Sequence, residues 1–457
     1  MGCCASSGLH PLSDKKVVSA DGLEPTGGDI DDEAAAILSQ GDLRLVSGLW
    51  LLSQGEGYRV QKLQELPRDE ALVPPSNAAA MMLEGGINEG PPRVLALSYR
   101  WLTKEHPDPD GIQLKKVRDF LEKMLEAVFR SRRGASTLAE LDIGILWDYM
   151  SLPQHPRSGA EQDVFLRGLK AINRLYGSTE RTLTLQLIDD PDGSHPYHKS
   201  GWCRFEEAVA GIGKGGSLLL AVEEKPAPCI DGPPLPPPTV KYLEPHPGTE
   251  VLQAHGLDSL AQELRRQNAK ESPMQAWRSL CSDMSSSRSP PLHPNDMAKL
   301  LRSDEVTFTN RSDVDMVIAK YRDFFRKVAD TVVRLDYRHR LLASSEKTKR
   351  CGKVTWSPEQ FRLLGNALGE DGLRSCKYLY LGGVNLREAD ARVLAEALVK
   401  ATSLEEVQLP MEIADREGAG YATFFQDQSV EPAALRLLYK RLGESGVHYF
   451  FCDAEHV

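Results

Sequence analysis

The segment Arg93-Val94-Leu95-Ala96-Leu97-Ser98-Tyr99-Arg100-Trp101 opens a regular alternation of strand and helix signals. Val94 to Tyr99 is a short, mostly apolar run of the length expected for a buried strand. Pro107 and Pro109 then break the chain, and Asp110 offers an N-cap. Leu114, Val117, Leu121, Met124, Leu125 and Val128 follow on one helical stripe. A second strand is expected at residues 143–147, followed by a polar loop over 151–159. The next helix carries Phe165, Leu169, Ile172 and Tyr176 on one face and stops at Gly177. A third strand over 182–188, a helix starting near Ser200 and a fourth strand over 218–222 complete the alternation. This order predicts a parallel sheet joined by crossover helices. The strands read as continuous apolar runs, as burial on both faces demands. In such a sheet the ligand crevice lies beyond the carboxyl ends of the strands. The loops after Tyr99, Tyr149 and Ile188 are therefore expected to converge.

Working outward, the chain divides into six stretches. Residues 1–28 form a polar, Gly-containing tether, and 29–92 a helical and linker region with prolines and Gly85-Gly86 near its end. Residues 93–224 are the α/β domain, and 225–250 a linker holding the Pro-dense run at 233–238, extended and semi-rigid. That run reads as a spacer before it reads as a PxxP ligand. Residues 251–348 are expected to be helical over 257–280 and 313–337, with a Ser/Pro loop between. In residues 349–457, Leu379 and Leu381 recur 28 residues later as Val407 and Leu409, with Leu394, Ala397 and Leu398 on the intervening helix. A degenerate earlier copy has its helix at 361–368. This is the strand-helix spacing of a longer leucine-rich repeat, and it predicts a short capped pair of units.

The 457 residues allow about three folded units. Lys+Arg 55 against Asp+Glu 65 gives a net charge of −10, which argues against a nucleic-acid binder. No apolar run approaches the roughly 20 residues needed to cross a bilayer. The eight cysteines show no metal-type spacing and suit a reducing compartment. Two of them stand in Met1-Gly2-Cys3-Cys4-Ala5-Ser6, which matches the N-myristoylation acceptor at Gly2. One acyl chain binds membranes only marginally, and palmitoylation of Cys3 and Cys4 supplies the second signal. The expectation is a lipid-anchored protein at the cytoplasmic face of a membrane.

Two motifs carry a family likeness. Leu97-Ser98-Tyr99-Arg100 ends a strand, and Ser200-Gly201-Trp202-Cys203-Arg204-Phe205-Glu206 opens a helix about a hundred residues later. Together they resemble the Toll-interleukin receptor (TIR) domain, with its S-Y-R-like first box and its S-x-W-C-x-x-E helix. The chain is also similar to the heterokaryon-incompatibility (HET) domain. Ala96 to Trp101, Leu146-Trp147-Asp148 with Pro153-Gln154, and Trp202, Cys203 and Glu206 match its boxes, with Phe205 where the family has glutamine. The resemblance spans roughly residues 93–222 and implies a flavodoxin-like parallel sheet.

It also implies a function. Many TIR domains hydrolyse NAD with the glutamate of this helix, whose carboxylate stabilises an oxocarbenium-like centre as the nicotinamide–ribose bond breaks. Glu206 is then the candidate catalytic residue, Arg100 a phosphate contact, Trp202 a further NAD contact, and the 151–159 loop a lid. Other TIR domains act by assembling with one another, so the resemblance implies either a signalling and assembly protein or an NAD hydrolase. In both, the partners are the membrane and other proteins, including further copies of the chain; NAD enters as substrate and no cofactor is fixed. At 100° per residue Trp202, Phe205, Val209 and Ile212 share an inward face, Glu206 lies at its boundary, and Glu207 points to solvent. The run Gly211 to Gly216 spells GxGxxG, but it follows a helix and precedes a strand, the reverse of a dinucleotide fingerprint. His195-Pro196-Tyr197-His198 reads as a loop and not as metal ligands.

Overall fold

The computed structural model describes residues 28–84, 91–132, 137–188, 190, 193, 196–214, 218–222, 252–253, 258, 261–262, 277, 280–281, 288–337, 354–382, 384–410, 412–414, 422–423 and 433–452. Gly2, Cys3, Cys4 and the proline run at 233–238 lie outside the described residues.

A five-stranded sheet forms the centre, in the order β1-β3-β2-β4-β5. Its members are β1 (Val46–Ser47), β2 (Val94–Tyr99), β3 (Gly144–Leu146), β4 (Thr182–Leu187) and β5 (Leu219–Val222). β2 to β5 run parallel, and β1 pairs antiparallel with β3 through Val46↔Ile145. The sheet thus draws a strand from upstream of Arg93. Residues 67–84 are also more regular than the prolines suggest. Helix α2 (Pro75–Leu83) forms there, because Pro75 occupies the first turn, where no N–H is needed.

The two faces of the sheet bury different sets. Leu95, Leu97, Leu183 and Leu185 pack on Val117, Leu121, Met124 and Val128 of helix α3 (Ile112–Ser131). Val94 and Ala96 face a second core with α1 (Gly28–Gln40), α2, α4 (Gly159–Gly177) and α5 (Gly201–Gly211). α3 is capped by Asp108 and not by the expected Asp110. Asp108 Oδ1 accepts from Gln113 N at 3.1 Å and Oδ2 from Leu114 N at 2.7 Å. Gly111, at φ 75°, turns the chain into the helix, in a conformation a Cβ would strain. α4 begins with a capping box between Ser158 and Glu161.

The second core runs on without a break into the C-terminal half. Helices α6 (Pro294–Arg302) and α7 (Asp313–Ala329) lie against it, with Val317, Tyr321, Phe324 and Phe325 buried. The expected helix over 313–337 ends at Ala329, and β6 (Arg334–Asp336) follows. β6, β8 (Tyr378–Tyr380), β10 (Glu406–Pro410) and β13 (His448–Cys452) stack parallel in chain order. The 28-residue spacing is real register, since Leu379 pairs with Val407; Leu335 and Tyr449 extend the same row. Four strands stand in this row where a capped pair was expected. A second sheet takes β7 (Val354–Thr355), β9 (Val384–Arg387), β11 (Glu412–Ala414) and β12 (Ala422–Thr423). Helices α8 (Pro358–Ala367), α9 (Glu388–Leu398) and α10 (Ala433–Glu444) separate the strands.

Candidate functional site

The strand order reverses between β2 and β4, since the chain passes from β2 out to β3 and returns to β4 on the other side. Loops on either side of such a reversal part and leave a crevice at the carboxyl edge. Ser98, Tyr99 and Arg100 stand at the end of β2, and Trp147 and Asp148 follow β3. Tyr197 and helix α5 follow β4.

α5 is set by its own sequence. Ser200 caps it, its Oγ accepting from Cys203 N at 3.4 Å, and Phe205, Val209 and Ala210 turn inward. Glu206 is thereby aimed at the end of β2, where Ser98 Oγ donates to its Oε2 at 2.6 Å. The same Ser98 oxygen lies 2.6 Å from the hydroxyl of buried Tyr197, to which Gln186 Nε2 donates at 3.1 Å. Gln186 donates into the Tyr197 hydroxyl, whose own proton can go to Ser98 or to Cys203 O at 3.5 Å. The result is a hydrogen-bonded chain from the sheet interior to the carboxyl of Glu206, a residue that is itself half-buried. Burial pushes Glu206 up to about 8, opposed by the Ser98 hydrogen bond and reinforced by the charge of Asp148. Burial likewise raises Tyr176 and Tyr197, and both feel the Glu206 charge.

Asp148 is held differently. The Tyr99 hydroxyl donates to its Oδ1, joined by Tyr149 N at 2.7 Å, and Trp101 Nε1 donates to Oδ2 at 3.3 Å. Burial raises this carboxyl too, against the lowering by those three donors. Trp101 and His106 both pack edge-on against Tyr149, at 5.6 and 5.2 Å between ring centres, so the Asp148 side of the crevice has an aromatic wall.

Of the residues proposed from the motifs, Glu206 stands in this cluster. Arg100 is at its rim, with Nη1 donating to Pro196 O at 3.1 Å. Trp202 is turned toward the C-terminal half, where its Nε1 donates to Asp313 Oδ2 at 3.2 Å and its ring meets Phe205 edge-on. Glu207 does not point to solvent. It is 4% exposed, paired with Arg204 at 2.8 Å and accepting from Ser289 Oγ at 3.3 Å, because segment 288–293 covers that side of α5. The loop expected as a lid is anchored over its first half. Ser151, Leu152 and Pro153 are buried, and Gln154 exchanges hydrogen bonds with Gln64 at 2.6 and 3.0 Å. Tyr197, Tyr176 and Gln186 belong to the cluster but carry no motif signal. The one cue to them was the polar half of the run Thr182-Leu183-Thr184-Leu185-Gln186-Leu187.

Lys214 of the GxGxxG run is buried, donating to Thr182 O at 2.7 Å and to Ser178 O. Burial lowers Lys214 to about 7 and raises its neighbour Asp31 to about 6. Among the described residues no group of three or more His, Cys, Asp or Glu is arranged to hold a metal ion. No helix among them is long and apolar enough to cross a membrane. No family model matches the chain, and no curated protein or solved structure is significantly similar to it.

Proposed function

We propose that this chain is a membrane-tethered signalling protein whose TIR/HET-like unit hydrolyses the nicotinamide–ribose bond of NAD with Glu206. The observation that carries the reading is the carboxyl of Glu206 at the strand-order reversal, oriented by Ser98 on a half-buried residue. The parallel order β3-β2-β4-β5 supports a flavodoxin-like, TIR-like unit. A carboxyl placed where burial penalises its charge costs stability, and a site where a reaction uses it accounts for its retention.

In this reading the bond between ribose C1′ and the pyridinium nitrogen breaks, and its electron pair leaves with neutral nicotinamide. The cationic ring over Glu206 favours its ionised form, whose carboxylate then stabilises the oxocarbenium centre. Water adds to C1′ and gives its proton to Glu206 or solvent. Arg100 lies where it can meet a phosphate, and the aromatic wall of Trp101 and Tyr149 suits a planar ring.

The acylation pattern at Gly2, Cys3 and Cys4 supports an activity held at a cytoplasmic membrane face. The strands stacked in chain order support the leucine-rich-repeat-like reading of the C-terminal unit, which would contact a protein partner. The assembly reading, in which copies of the TIR-like unit associate without turnover, is favoured by the same anchor, since tethering concentrates the copies. One experiment separates the two: nicotinamide release from NAD by the full chain on lipid vesicles, beside Glu206→Gln. Release that is lost in the variant supports the hydrolase. Equal or absent release in both proteins removes it and leaves assembly.

A further inference from the structure

We propose that the face shared by α4 and α7 is a docking surface for anionic phospholipid, formed by Lys170 and Arg174 of α4 and Lys320 and Lys327 of α7. Contacts on this face bring the four cations together. Lys320 Nζ donates across the helix pair to Leu169 O, which sets it beside Lys170. Glu33 of α1 joins the other two, one of its oxygens accepting from Arg174 Nε at 2.8 Å and the other from Lys327 Nζ. Two cations on the two oxygens of one carboxylate are necessarily close neighbours. Lys320 is lowered to about 8, by burial first and then by the like charges of Arg174 and Lys170, in keeping with this crowding.

The whole chain carries a net charge of −10, so a local excess of cations calls for a counter-ion. Against the four stand Glu33 and, exposed between Lys320 and Lys327 on α7, Asp323. Arg167, one turn earlier on α4, is matched by Asp42 at 2.7 and 3.0 Å and adds no charge. Lys170 is exposed, and Leu166, one turn before it and 51% exposed, offers an apolar side chain to the headgroup layer. Phosphate oxygens suit these donors, and their charge relieves the repulsion at Lys320. Lys320 and Lys327 stand two helical turns, about 10 Å, apart. That spread fits a surface bearing many phosphates better than a single free anion. The N-terminal stretch has no such cluster, since Lys15 and Lys16 are followed by Asp29, Asp31 and Asp32.

The proposal rests on the membrane-tethered reading only for its consequence, which is to fix the orientation of the anchored protein. Its test therefore uses the full chain carrying Gly2→Ala and produced without acyltransferases. Co-sedimentation with vesicles of phosphatidylcholine and phosphatidylserine is compared with pure phosphatidylcholine. The protein is expected on the anionic vesicles alone, and raised salt should release it. Lys170→Ala with Lys327→Ala should weaken this binding about 10-fold or more. Lys440→Ala with Arg441→Ala removes the same charge from exposed positions on α10 and should change it less than about 2-fold. Glu33→Gln frees Arg174 and Lys327 and should tighten binding several-fold, a gain that partial unfolding of the other variants cannot imitate. Equal binding to both vesicle types, equal losses in the two double variants, or no gain in folded Glu33→Gln overturns the proposal. Binding as expected in a chain found to carry no acyl group refutes the tether and leaves the surface standing.

Discussion

Ser98 Oγ lies 2.6 Å from Glu206 Oε2 and 2.6 Å from the Tyr197 hydroxyl, so one strand-end serine connects the buried phenol to the half-buried Glu206. A hydrogen bond to an ionised group contributes about 1.5–3 kcal/mol, so Ser98→Ala should disfavour the carboxylate. If the proposed hydrolase reading holds, nicotinamide release falls roughly 10-fold or more at neutral pH in this variant, recovering in part under alkaline conditions. Ser98→Thr, which keeps the hydroxyl, should retain most of the rate. A pH–rate profile of the three proteins checks this, and an unshifted profile in the alanine variant would show that the relay does not tune Glu206.

Stability should depend on pH with opposite slopes from two buried groups. Glu206 holds its proton to about 8 in the fold, against an ordinary value of 4.5. Between those values the folded state binds more protons, so this contribution falls as pH rises. Lys214 is lowered from 10.5 to about 7, so above 7 the unfolded chain binds more protons and this contribution rises with pH. Asp31, raised to about 6 from 3.8, adds a fall at the acid end. Urea midpoints near pH 5, 7 and 9 should show the first fall flattened in Glu206→Gln and the alkaline rise flattened in Lys214→Met. Parallel curves for variants and parent would mean that these groups are not held as the structure places them.

The start of α3 offers a sharper test of local structure. Asp108 accepts from two of its first free N–H groups, whereas Asp110 supplies no such cap. Asp108→Ala should cost about 1–2 kcal/mol, and Asp110→Ala less than about 0.5 kcal/mol. Equal losses in chemical denaturation would contradict the cap.

Much of this architecture is legible from periodicity, because the strands and helices of residues 93–222 bury themselves through their own patterns. Val94 to Tyr99 forms a strand over the expected bounds, and Leu114 to Val128 bury the expected stripe. The Leu379 and Val407 spacing likewise reappears as strand register. The cap was misplaced because Asp108 and Asp110 both precede the helix, and only the turn at Gly111 decides between them. Glu206 could be found from its motif, but the group that most distinguishes its surroundings could not. Tyr197 sits in a loop of ordinary polar composition, and its burial depends on β2 and β4 meeting beneath it. Glu207 was misread for a related reason. Helical angle tells which residues face the sheet, but not that a segment 80 residues later covers the opposite side.

That cover gives the final prediction, because it ties the C-terminal half to the helix bearing Glu206. Gly201 N donates to Thr307 O at 2.9 Å, and Thr307 N returns a bond to Lys199 O at 2.6 Å. Trp202 bonds Asp313 and Glu207 accepts from Ser289, so α5 is held by later residues at its first turn and near its middle. A Cβ on Gly201 would overlap the ring of Phe308, which is why glycine stands there. Gly201→Ala should therefore destabilise the fold by about 1–3 kcal/mol through overpacking. Phe308→Ala in the same chain should restore part of that loss, since contacting residues couple in a double-mutant cycle. Full additivity of the two changes would place Phe308 away from the helix. Coupling between them would confirm that the start of α5 is packed directly against the C-terminal half.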